Sequence, residues 1–110
     1  MNNQDQLIDI VQKIESDLLL SNDFHIWLQK RSKKEKAVWS DKIVEFMTYR
    51  IQLNYNILKV IAEEFDKYTP ELKGAVKELQ DEMKKMENFI KVINNLTKVI
   101  GLLTKVATKI

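Results

Sequence analysis

TPELKGAVKELQDEMKKMENFIKVI, from Thr69 to Ile93, is the stretch that decides the fold. Leu72, Val76, Leu79, Met83, Met86, Ile90 and Ile93 recur at alternating steps of four and three. That spacing keeps apolar side chains on one face of a helix, as in coiled coils and bundles. Thr69-Pro70-Glu71 ahead of it has the chemistry of a helix start. A threonine hydroxyl accepts an orphan backbone N–H, proline suits the first helical position, and an acid complements the positive helix end. The spacing therefore predicts one helix from Pro70 to the C-terminus, with Gly74 and Gly101 as tolerated weak points.

Working backwards, Ser32-Lys33-Lys34-Glu35 has the form of a capping box and predicts a second helix from Lys33 to Tyr68. Asn2 or Asn3 caps a first helix, whose face is Leu7, Val11, Ile14 and Leu18. Ser21-Asn22-Asp23 is a potential break before Phe24, Trp27 and Leu28 resume the pattern. The expectation is an all-α antiparallel bundle of three long helices, or four if the first is broken near 21–23. Residues 1–110 form a single domain on this reading, and one that fits the front piece of a longer chain equally well.

Composition agrees. The 110 residues hold 18 Lys plus Arg, 16 Asp plus Glu, two Gly, one Pro and no Cys, for a net charge of +2. So few turn residues argue against a β-rich fold. The absence of cysteine removes disulfides, thiolate metal ligands and thiol catalysis. No signal peptide and no run of about 18 uncharged apolar residues is present, so a cytoplasmic location is expected, with peripheral membrane contact as a variant.

Nothing points to catalysis. His25 is the only imidazole, there is no Gly-rich phosphate loop, and the carboxylates are spaced like a solvated helix surface. No cofactor, metal or small-molecule substrate is expected. His25 reads as a partly exposed residue near the first-helix break rather than as a pH switch.

Polar residues interrupt the inward stripe of the second helix. Arg50 and Asn54 lie one turn apart on it. A buried Arg is costly unless paired. Folding about Ser32 brings Glu15 near Arg50, and folding about Thr69 brings Glu87 near it. Arg50, Asn54, Glu15 and Glu87 therefore form an expected polar layer that sets register.

Two basic features remain. Lys30, Arg31, Lys33, Lys34 and Lys36 surround one acid, Glu35, and are flanked by Trp27 and Trp39. Residues 88–110 hold no acid, and Lys91, Lys98, Lys105 and Lys109 share one side of the helix. In an up-down-up bundle the basic loop and the C-terminus share an end, giving a basic pole of Lys30, Arg31, Lys33, Lys34, Lys36, Lys98, Lys105 and Lys109. The opposite side of the last helix carries Phe89, Val92, Leu96, Val99, Leu102, Leu103, Val106 and Ile110. Its apolar arc, and that of the second helix, exceed the stripe one core requires. Uncovered apolar surface implies a partner. The functional expectation is a non-enzymatic helical interaction module, with those eight residues as its contact face, that self-associates or packs on another protein. The alternative is a membrane-recruited domain using helix 88–110 and loop 30–36. Nucleic acid is disfavoured, because only Arg31 and Arg50 among the basic residues are arginines.

Overall fold

In the computed structural model the described backbone covers residues 3–56 and 62–107, and the described side chains cover 8–53 and 67–105. Among these residues the protein is all-α, with helices α1 (Asn3–Leu20), α2 (Asn22–Gln29), α3 (Lys33–Asn56), α4 (Ala62–Lys85) and α5 (Phe89–Ala107). The expected three long helices are thus five, and two of the differences are instructive.

The first helix does break, at Ser21, whose φ of −73° and ψ of 101° are extended. The Ser21 carbonyl accepts the His25 N–H at 3.0 Å, which starts α2. The His25 ring turns back, and its Nε2 lies 2.8 Å from the Leu18 carbonyl, one of the α1 acceptors left without a helical donor. His25 therefore ties the two sides of the bend together. At the start of α3 the capping box forms. The Glu35 N–H donates to Ser32 Oγ at 3.1 Å, and the Ser32 N–H and Oγ–H both face Glu35 Oε1, at 3.4 and 3.3 Å. The helix then runs unbroken through Ser40-Asp41. Whether it continues over 57–61 lies outside the described residues.

The last expected helix is corrected at both ends. Pro70 sits inside α4 and not at its start. The chain then reverses over Met86-Glu87-Asn88. Met86 has a φ of 51°, the left-handed conformation that ends helices and usually falls to glycine. Asn88 Oδ1 accepts the Lys91 N–H at 3.1 Å and caps α5. Met86 continues the four-three spacing, so the apolar pattern alone does not show this turn.

Pairings across the molecule fix the topology. Phe24 meets Trp39 with ring centroids 5.0 Å apart, and Arg50 meets Glu15, so α3 runs antiparallel to α1–α2. Lys98 reaches Glu78 at 3.6 Å, so α5 runs antiparallel to α4. Gln80 donates to Asp17, and the Phe24 end of α2 lies beside Met83 and Met86, so α1 and α4 run the same way. By elimination α3 and α5 are parallel. The close packings are α4 on α5, α3 on α5 and α1 on α4, whereas α1 and α3 barely touch. Consecutive helices α3 and α4 thus sit across the bundle from each other.

The core is continuous. It holds Val11, Ile14 and Leu18 from α1 and Leu72, Val76, Leu79 and Met83 from α4, two helices that pack closely. It also holds Phe46 and Leu53 from α3 and Val92, Leu96, Val99, Ile100 and Leu103 from α5, likewise closely packed helices. After the turn at Met86 the inward stripe changes phase: Phe89 and Val92 are buried, whereas Ile90, on the expected rail, is 68% exposed.

Candidate interaction surface

The α5 face expected to meet a partner is corrected first. Phe89, Val92, Leu96, Val99, Leu102 and Leu103 are all buried in the chain's own core. The turn at Met86 lays α5 against both α3 and α4, and two neighbours cover an arc that one could not. Val106 and Ile110 lie outside the described side chains. On its outward side α5 shows Ile90, Lys91, Asn94, Thr97, Lys98, Gly101 and Lys105.

The basic pole is corrected by the same turn. With α5 reversed, Lys30, Arg31, Lys33, Lys34 and Lys36 stand at the end of the molecule that holds the Met86 turn. Lys105 lies at the opposite end, and Lys98, between them, faces Glu78. Lys109 lies outside the described residues. Within the basic loop, Arg31 stacks on Trp27, its guanidinium carbon 4.8 Å from the ring centroid, while Trp39 is buried in the core.

The polar layer is half present. Arg50 Nε lies 2.6 Å from Glu15 Oε2, with the two side chains 24% and 22% exposed. The N–H does not aim along that approach, so this is a charge–charge contact rather than an aligned hydrogen bond. It bridges the seam where α1 and α3 pack least. Glu87 is exposed in the turn after Met86 and is no partner for Arg50. The Asn54 side chain lies outside the described residues.

Large apolar side chains remain exposed at Leu19, Leu20 and Ile26 on either side of the α1–α2 bend, at Ile90 on α5, and at Val44 and Ile51 on the outward side of α3. The inward side of α3 is Trp39, Phe46 and Leu53, all buried. Five residues on from Trp39 and Phe46, and so about 140° round the helix at 100° per residue, stand Val44 and Ile51, 65% and 53% exposed. Ala37 and Thr48 share that exposed stripe, together with Lys33, Ser40 and Asp41. The Thr48 hydroxyl donates to the Val44 carbonyl at 2.9 Å, within the helix. The outward sides of α4 and, past Ile90, of α5 are more polar. α4 shows Lys73, Lys77, Glu78, Asp81 and Lys84, and α5 its lysines. The wide apolar arc of the second helix signals this surface in the sequence, whereas the wide arc of the last helix is covered by α3 and α4.

A cleft of about 290 Å³ opens where α1 bends into α2 beside the end of α4, with Phe24, Met83 and Met86 as its apolar lining and Lys13, Asp17 and Lys84 among its polar groups. Asp17 is already engaged by Gln80, and the cleft is the space left by the bend. Among the described residues no three His, Asp or Glu side chains are grouped to hold a metal ion, and no helix is long and apolar enough to cross a membrane.

Fold and surface together define an all-α protein in which Val44 and Ile51 stand exposed on α3, opposite its buried side and among exposed polar residues such as Ser40, Asp41 and Glu45. No protein-family model matches the chain, and no curated protein or solved structure matches it significantly either.

Proposed function

We propose that the protein is a non-enzymatic helical interaction module that self-associates or packs on a protein partner, and that its contact face is the outward stripe of α3. The observation that carries this reading is the exposure of Val44 and Ile51 on a helix whose other side is already in the core. Two large apolar side chains stacked on the exposed side of one helix offer a contact for an apolar partner surface. Sedimentation of the wild type and of a Val44→Glu/Ile51→Glu variant tests it. The wild type is expected to sediment heavier than its 13.0 kDa monomer at high micromolar concentration, or, if monomeric, to bind an apolar dye. The double variant is expected to be monomeric and dye-silent with an unchanged helical spectrum. A strictly monomeric, dye-silent wild type would sink the idea.

A second reading keeps a place because Lys91, Lys98 and Lys105 stand exposed along one side of α5. These cations would hold the molecule against an anionic membrane by charge alone, since the apolar side of α5 is already buried in the core. Flotation with anionic vesicles at low salt, lost at high salt and lost in Lys98→Glu/Lys105→Glu, is the expected behaviour. Flotation that survives high salt would exclude this electrostatic contact.

A further inference from the structure

Independently of the α3 face, we infer that Thr69-Pro70 is a second, built-in start for α4, and that residues 62–68 exchange between the helical continuation described above and an undocked strap. Three observations converge on this point. Pro70 lies inside α4, where it has no N–H for the backbone carbonyl of Asp66, four residues back, and its ring crowds that carbonyl. Thr69 is 3% exposed, and its hydroxyl is buried without a hydrogen-bond partner, although polar groups at such depth are nearly always satisfied. The residues Thr69, Pro70 and Glu71 are the types, in the order, that open a helix.

In a helix that begins at Pro70 each defect is repaired. The Thr69 hydroxyl accepts the N–H of Glu71 or Leu72. Proline occupies the position where its missing donor is not needed, and the Glu71 carboxylate stands beside the positive helix end. Against this, undocking forfeits the two turns before Pro70 and exposes Tyr68, which is buried in the continuous form. The continuous helix and the late-starting helix thus satisfy different groups, which is the condition for a two-state element. The strap joins the α1–α3 part of the chain to the α4–α5 hairpin, so its release loosens the one covalent tie between them.

Amide hydrogen exchange on the intact chain reads this state directly. Amides 63–69 are expected to exchange about tenfold or more faster than amides 72–83. Pro70→Ala, which restores the missing donor, is expected to slow 63–69 and leave α5 unchanged. Glu71→Lys is the sharper test. Glu71 is an exposed side chain within the continuous α4, where its one charged neighbour a turn away is Lys67. The change is therefore made in a Lys67→Ala background, in which a merely kinked helix would not respond to the charge at 71. A helix starting at Pro70 would be disfavoured, and exchange over 63–69 would slow roughly two- to fivefold. Amides 63–69 exchanging in step with α5 in the wild type, or unmoved by Glu71→Lys, would overturn the inference.

Discussion

Phe24→Ala is expected to lose about 3–5 kcal/mol of stability, the range for emptying a buried aromatic site. Phe24 is one of only two buried residues on α2, with Leu28. Its ring sits 5.0 Å from Trp39 on α3 and 5.5 Å from Trp27, centroid to centroid, and such ring pairs add about 0.5–1.5 kcal/mol beyond area burial. Phe24 also lines the cleft at the α1–α2 bend, so its removal joins new empty space to old and the surroundings cannot close over it. Urea unfolding followed by helical signal and by tryptophan fluorescence checks this. The midpoint should fall by more than about 1 M for a domain of this size. Ile26→Ala, on the exposed side of the same helix, should stay within about 0.5 kcal/mol. A loss at Phe24 no larger than at Ile26 would mean that α2 does not dock as described.

The Arg50–Glu15 contact carries the second large effect. Exposed pairs contribute about 0–1 kcal/mol, and stripping one partner from a fully buried pair costs about 3–5 kcal/mol. At about a quarter exposure on each side, Arg50→Ala and Glu15→Ala should each cost about 2 kcal/mol. The double replacement should cost clearly less than the two together, because the second change removes a charge already left alone. Arg50→Met with Glu15→Leu should come close to wild-type stability. That variant is also the one to inspect for altered helix order, since without the charge contact little specifies how α1 meets α3. Strict additivity in the alanine cycle would show that the two side chains do not interact.

Local chemistry was legible in the sequence where the relevant groups lie within one turn of each other. Ser32 and Glu35 announce the start of α3, and Ser21 announces the break before α2. Counting residues from the Ser32 turn is enough to bring Glu15 to Arg50. The reversal at Met86 was not legible by the same means. Its neighbours Met83 and Ile90 keep the helical spacing, and the residue that adopts the left-handed conformation is neither glycine nor asparagine. Only Asn88, a sound cap without a visible stop before it, marked the place. That one missed turn reversed α5 in the expected arrangement, which is why the basic pole and the α5 contact face failed together. Thr69-Pro70 erred the other way, a strong start signal that the continuous α4 overrides.

The parallel pairing of α1 with α4 and of α3 with α5 also bears on how the chain assembles in time. In a meander of helices each new element finds its partner beside it, and folding is fast because the contacts are local. Here α1 must wait for α4, some sixty residues later in the chain, before Val11, Ile14 and Leu18 acquire a lasting cover. A nascent chain ending after α3 exposes Phe46 and Leu53 as well, since α5 supplies their neighbours. The first half of the protein is therefore expected not to fold stably by itself, and to expose apolar side chains prone to aggregation until α4 and α5 are made.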